Sequence, residues 1–430
     1  MTQLMAYLDG KLCGSFSEAK GQITFAYSAE YGGKVPLSLS MLERNRNHKN
    51  KFALPFLKGL LPDNAQALDN MARAAGVSAG SIFGLLTHYG QDVAGALQLL
   101  APGVPSSDAE HPTLSRQAKL SSDEFEELLE ESRNLYRGRT LAASEIFRFS
   151  LAGAQPKLSL TQDEEGRWLQ PKKGIATTHI LKPVKAEDHY FVKNIDITEF
   201  LTMKTAIECG LNAVNPELWR SQKSDLTALI VPRYDRLIQK DTVRRLHQED
   251  LLQALGVPPE KKYQHQDGGP GLGEIAQLIR QKTRPENRLQ IQEDFFKGLV
   301  FNLGILGTDA HAKNYSLIHQ EEGSQLAPLY DLISAAAHIQ DETQAYFPMS
   351  IRKKYKFIQI SPEDLVFEGK RLGLSQDRAE QIVEDIFSSI PKALEKVGQE
   401  EKLEKSAARI LDGLEKLSPA RFVSDYWGQN

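Results

Sequence analysis

Two strings decide how this chain is read: Gly307-Thr308-Asp309-Ala310-His311-Ala312-Lys313-Asn314-Tyr315-Ser316-Leu317 and Ala327-Pro328-Leu329-Tyr330-Asp331-Leu332-Ile333-Ser334. Together they supply Asp309, Asn314 and Asp331, the oxygen donors that phosphoryl transfer needs. An Asp followed five residues on by an Asn is the spacing of a kinase catalytic loop. There the Asp accepts the proton of the acceptor hydroxyl and the Asn holds a magnesium ion. Asp331, in the apolar run that follows, suits the ion that bridges the nucleotide phosphates. Magnesium is satisfied by one or two carboxylates plus phosphates and waters, so this small set is enough. Each element alone is weak; the ordered trio, with Gly307 before it, is much stronger.

The surrounding composition sets the class. With 430 residues, 41% hydrophobic and 25% charged, the chain is long enough for two or three domains with well-formed cores. A net charge of −4 gives no drive toward non-specific nucleic-acid binding. Cys13 and Cys209 match no metal or redox spacing, so reduced, buried thiols are expected. No signal-peptide pattern and no long apolar run appear, which predicts a cytoplasmic protein with no membrane partner.

Outward from the two strings, the chain reads in three parts. Residues 1–105 hold short strands and a helical stretch: Leu4–Leu8 runs into Asp9-Gly10, a hairpin signal, Ile23–Tyr27 alternates, and helix is expected from about 56 to 86. The proline- and serine-rich segment 101–108 marks a boundary. Residues 106–235 open with a helix capped at Ser121, with Phe125, Leu128 and Leu129 on one face. Strands follow at 157–160, at 178–182 (ended by Pro183) and at 229–231, with a helix over 196–209 stopped by Gly210. Residues 236–430 read as nearly all helix, apart from strand-like pieces around 314–318, 327–333 and 355–360. The expected architecture is α+β: a two-lobed kinase-like fold with an extra N-terminal β-rich subdomain and a mostly helical C-terminal lobe.

Within that layout, Lys182 ends an apolar strand, placed like the lysine that grips the α- and β-phosphates, with Glu199 on the next helix as its candidate partner. A surface lysine after a strand is the competing reading. The small-residue turn Ala152-Gly153-Ala154, with Gln155, brings backbone N–H groups close to phosphate oxygens. Val231, Arg233 and Tyr234 fall where a hinge would receive adenine, although Pro232 has no N–H to give. His311 suits a hydrogen-bonding role that fixes the loop. Lys313 either neutralises phosphate charge or is simply exposed, and the sequence leaves both open.

The strings Phe149–Lys157, Thr178–Lys182, Arg233–Arg236, His247–Asp250, Asp267–Gly271, Thr308–Asn314 and Tyr330-Asp331 resemble, in order, those of the HipA toxins, serine/threonine kinases of bacterial toxin–antitoxin pairs. Residues 1–100, with Leu60–Asp63 and Asp92–Ala96, resemble that family's N-terminal subdomain. The resemblance implies ATP and magnesium, with Asp309 catalytic and Asn314 and Asp331 holding the metal. It also implies a nucleotide site of Ala152, Gly153, Ala154, Gln155, Lys182, Val231, Arg233, Tyr234, His311, Lys313 and Asp331. Ser150 would be the autophosphorylation site that switches the kinase off, since a dianion beside a phosphate-binding turn repels ATP. The implied partners are a HipB-like helix-turn-helix antitoxin, operator DNA through that complex, and a protein substrate such as glutamyl-tRNA synthetase. The chain departs from ordinary protein kinases at Gly307-Thr308 and Leu332-Ile333, which speaks against regulation by an ordinary activation loop. His247–Asp250 suggests a metal site or, with more reason, the start of a helix. Asp267–Gly271 reads as a flexible loop facing substrate. Arg352–Lys356 is equally an operator contact and a solvated strand edge. The competing functions are a small-molecule kinase and a weakly toxic or inactive co-repressor that retains the fold.

Overall fold

The computed structural model describes residues 2–109, 113–137, 155–172, 174–188, 194–339 and 345–422. Ser150, Ala152, Gly153 and Ala154 lie outside the described residues. The chain divides into two compact units, one of residues 1–185, 219–259 and 318–323, the other of 186–218, 260–317 and 324–430. The first unit therefore joins the expected N-terminal subdomain to most of the expected second part, across the boundary read at 101–108.

The first unit begins with β1 (Thr2–Leu8), β2 (Lys11–Ala19) and β3 (Gln22–Tyr27). Asp9 and Gly10 both take positive φ (48° and 74°), as do Lys20 and Gly21 (52° and 72°), so both hairpins close on tight turns whose twist matches the strands. Leu4, Ala6, Leu8, Phe16, Ile23 and Phe25 alternate onto one buried face. Helices α1 (Asn50–Gly59), α2 (Ala65–Ala75) and α3 (Ile82–Tyr89) supply the rest of this core, three short helices where one stretch was expected. The strand β4 (Leu97–Leu100) pairs with β1 and completes an antiparallel sheet of order β3-β2-β1-β4.

Helix α4 (Ser122–Tyr136) starts at the expected cap, where Ser121 and Glu124 form a reciprocal capping box. Its Phe125, Leu128 and Leu129 pack on a second sheet of β5 (Leu158–Leu160), β6 (His179–Val184), β7 (Glu217–Arg220) and β8 (Thr227–Pro232), ordered β5-β6-β8-β7. Pro183 does not end β6. The β5 register stops at Leu158↔Leu181, whereas β8 continues to Val184↔Thr227, so one side of Pro183 has no strand asking for an N–H. A hairpin of β9 (Arg236–Gln239) and β10 (Thr242–Arg245) stands where helix was expected. Its turn residues Lys240 and Asp241 adopt positive φ without the glycine that would have signalled it. His247–Asp250 is a strand, and Asp250 caps the helix Leu251–Leu255 in a box with Gln253, the helix-opening role read from the sequence.

The second unit is mostly helical. The helix Gln376–Glu400 packs against the helices Ile195–Glu208, Pro285–Gly304, Pro362–Leu372 and Glu404–Leu417. Ile195–Glu208 is buried on most of its surface, Thr198, Thr202 and Thr205 included, rather than along the expected stripe. The hydroxyls of Thr202 and Thr205 donate to carbonyls one turn back, which makes their burial tolerable. Residues 327–333 form no ladder; Leu329 alone bridges to Ala213. Tyr346–Ile351 and Lys354–Lys356 pair as a hairpin turning at Arg352-Lys353. Lys354 pairs with the buried Asp364 at 2.6 Å, so the basic run of 352–356 is partly neutralised within the unit.

Candidate active site

The loop holding Asp309 follows the helix Pro285–Gly304, and its entry is set by Asn302. The amide of Asn302 donates to Gly298 O and to Tyr315 Oη, both at 3.0 Å, while Asn302 O accepts the N–H of Gly307 at 2.7 Å. A Cβ on residue 307 would meet Asn302 Oδ1 at 2.6 Å, so glycine is required here by close approach. Beyond it the chain turns sharply: Asp309 O accepts from His311 N–H and from the Asn314 side-chain amide, both at 2.8 Å. The bond from Nδ2 spends the nitrogen of Asn314 on the loop and leaves Oδ1, the hard oxygen magnesium takes.

The segment carrying Asp331 is pinned to the same loop. Tyr330 Oη donates to Lys313 O at 2.9 Å and lies 2.6 Å from Ser316 Oγ, and Ala327 N–H donates to Ser316 O at 2.8 Å. Beyond Asp331, Ser334 Oγ reaches Ile305 O at 2.6 Å and Ala335 N–H reaches Leu306 O at 3.0 Å. Asp331 itself has φ 51°, a left-handed backbone in which a non-glycine residue is strained and which suits a tight functional turn rather than a strand. The segments carrying Asp309, Asn314 and Asp331 are therefore held together within one unit. This donor set fits magnesium held jointly with phosphate oxygens. Among the described residues no group of three His, Cys, Asp or Glu forms a protein-only metal cage.

The Asp309 side chain is 45% exposed, open to an acceptor hydroxyl, and Oδ1 accepts from Tyr263 Oη. His311 lies beside it, 2% exposed, with Nε2 3.4 Å from Oδ1 and neither ring nitrogen hydrogen-bonded. Burial pushes the His311 pKa down to about 4, against the attraction of Asp309, so the ring is neutral near pH 7. Lys313 is buried, which removes the reading of a freely exposed lysine. Tyr263 was missed from the sequence; the signal was its place just before Asp267–Gly271, a string that had no assigned role.

The remaining candidates, Glu199 apart, lie in the first unit. Lys182 on β6 is 8% exposed, far from the solvated lysine that was the alternative. Glu199, on its helix in the second unit, is 3% exposed. Gln155 is half-buried, and Val231 sits on β8 opposite Ile180. Tyr234 donates its hydroxyl to Gln248 Oε1 at 2.8 Å. Arg233 is held within its own unit. Its N–H donates to Thr178 O, its carbonyl accepts from Arg236, and its guanidinium is spent on Asp235, Asp92, Thr177 and Val93 O. These bonds make the Arg233 guanidinium a structural member of the unit. Around it Arg236 and Arg245 meet the same Asp92, and Arg245 also meets Asp108. This buried ion network joins the Asp92–Ala96 and Arg233–Arg236 strings, and Gly95 N–H donates to Asp235 at 2.6 Å.

The fold is shared along almost the whole chain with the HipA chain in a complex of Shewanella oneidensis MR-1 HipA, HipB and operator DNA. The TM-score is 0.79, covering 99% of this chain and 97% of that one at 24% identity, which defines a kinase-like fold. Residues 149–394 match the HipA-like C-terminal domain and residues 4–100 the HipA N-terminal domain. The chain is 34% identical over 400 residues to the putative kinase Y4mE of Sinorhizobium fredii, covering 92% of this chain and 91% of that one. It is 30% identical over 376 residues to the serine/threonine-protein kinase toxin HipA of Shewanella oneidensis, covering 84% and 81%. The chain belongs to the HipA family of serine/threonine kinases. Among the described residues no helix is long and apolar enough to cross a membrane.

Proposed function

We propose that this chain is an ATP- and magnesium-dependent serine/threonine protein kinase acting as the growth-arresting toxin of a toxin–antitoxin pair. The observation that carries the reading is the pinning of the Asp331 segment to the Asp309–Asn314 loop through Tyr330, and to the helix end before that loop through Ser334. Asp309 orients the acceptor hydroxyl and takes its proton as the serine or threonine Oγ forms its bond to the γ-phosphorus and the bond to the β-phosphate oxygen breaks. Asn314 Oδ1 and the Asp331 carboxylate would hold magnesium, which would supply charge neutralisation at the phosphates. Lys182 is assigned to the α- and β-phosphates; an ammonium kept at 8% exposure suits that role better than a solvated one. Gln155, Val231, Arg233 and Tyr234 are assigned to the nucleotide as well, as are Ala152, Gly153, Ala154, His311 and Lys313.

The regulatory part follows from family membership. Ser150 is the autophosphorylation site, and a phosphate there opposes ATP binding by charge. The partner is a HipB-like antitoxin that brings the pair to operator DNA, as in the complex of the Shewanella protein. The acceptor is a protein of translation, with glutamyl-tRNA synthetase the first to try. Intact mass after incubation with magnesium and ATP, beside Asp309→Asn, tests the reading. One added phosphate, absent in the variant and mapped to Ser150, is the expected result. A starting mass without phosphate that never moves, together with growth arrest that persists in Asp309→Asn, would defeat it.

A further inference from the structure

The string Asp267–Gly271 has no role in the scheme above, yet it builds the turn that holds Tyr263. Tyr263 O accepts the N–H of Asp267 at 3.0 Å and of Gly269 at 3.1 Å, and Tyr263 N–H donates to Asp267 Oδ2 at 3.3 Å. Gly268 carries φ 67°, and a Cβ on residue 269 would meet Lys261 O at 2.2 Å, so this turn closes only with glycine at that point. From it the Tyr263 ring lies edge-on to His311, with centroids 5.1 Å apart, and its hydroxyl donates to Asp309 Oδ1. No other side-chain hydrogen bond reaches the Asp309 carboxylate among the described residues. His311 approaches the same oxygen at 3.4 Å, buried and without a hydrogen-bond partner, so it walls that side without replacing the tyrosine.

An exposed aspartate rotates about its last side-chain bond, and a base that rotates is misplaced for much of the time. We propose that Tyr263, set by the Asp267–Gly271 turn, is the positioning residue that fixes the Asp309 carboxylate, engaging Oδ1 and leaving Oδ2 for the acceptor hydroxyl. The inference rests on Asp309 being the catalytic base. The turn thereby has a structural duty at the site and is not merely a flexible substrate-facing loop.

The test is steady-state transfer from ATP to myelin basic protein by the full chain, comparing wild type, Tyr263→Phe, Asp309→Asn and the double variant. Phenylalanine keeps the ring packing, so Tm and the KM for ATP should stay at wild-type values. The kcat should fall about ten- to a hundredfold, the effect of losing one hydrogen bond to a charged, positioned group. In the Asp309→Asn background the same change should do nothing further, because the base it positions is already gone. A Tyr263→Phe kcat equal to wild type, with Asp309→Asn inactive, overturns this inference alone. A raised kcat overturns it as well, and marks Tyr263 as a blocker occupying the acceptor's place. Equal transfer by wild type and Asp309→Asn defeats the kinase reading itself and this inference with it.

Discussion

Replacing Asp92 by alanine should be among the most destabilising single changes in the first unit. Its carboxylate faces Arg236 at 2.9 Å and Arg233 and Arg245 at 3.4 Å, and it accepts from the Thr177 hydroxyl and N–H. All three guanidiniums are almost completely buried. Burial alone would raise the Asp92 pKa, but the three arginines override it and hold the carboxyl far below the usual carboxylate range. Without Asp92 the guanidiniums are left with Asp235 and Asp108 as their carboxylates, one positive charge in excess and shielded from water. Leaving a buried charge uncompensated costs about 3–5 kcal/mol. In a unit of this size that corresponds to about 10 °C in Tm. Asp92→Asn loses the charge and turns one of two accepting oxygens into a donor, so it should fall nearly as far. Arg46→Ala, which breaks the exposed Arg46–Glu43 pair, should leave Tm unchanged. Thermal scans and urea unfolding of the three variants provide the measurement. An Asp92→Ala shift below about 2 °C would refute the claim that charge compensation holds this network together.

Acid should destabilise the protein well above the carboxylate range. Burial lowers the pKa of His179 and His311 to about 4 and that of His247 to about 3. Each is neutral when folded, whereas unfolded histidine takes a proton near pH 6.5. Stability is therefore fully present above about pH 6.5 and falls by about 1.4 kcal/mol per pH unit per histidine as pH drops toward the folded values. A Tm flat between pH 7 and pH 5 would contradict this. Asp309→Asn should lower kcat by about 10²–10⁴ with no change in fold, and Asp331→Ala should abolish magnesium-dependent transfer; initial rates and circular dichroism measure both. Gly307→Ala forces a methyl against Asn302 Oδ1, on an amide whose Nδ2 is held by Gly298 O and Tyr315 Oη. It should cost about 1–3 kcal/mol in urea unfolding and slow transfer by displacing the loop.

The sequence by itself marked out the Asp309, Asn314 and Asp331 trio as candidates, and determined the capped helix at Ser121, the first hairpin at Asp9-Gly10 and the helix-opening role of Asp250. Each is written in local signals: a fixed spacing, a capping residue, or a turn dipeptide that few residues satisfy. The hairpin of β9 and β10 escaped because Lys240-Asp241 carries no glycine. The strand expected over 327–333 failed because apolar runs do not tell a ladder from a packed, irregular segment. Only the tertiary structure decided the rest. It spent the Arg233 guanidinium on Asp92, a partner 141 positions away in sequence. It likewise brought Tyr263 to Asp309 across a separation of 46. The use of an ionisable side chain depends on which charges and dipoles surround it after folding, and no local pattern carries that.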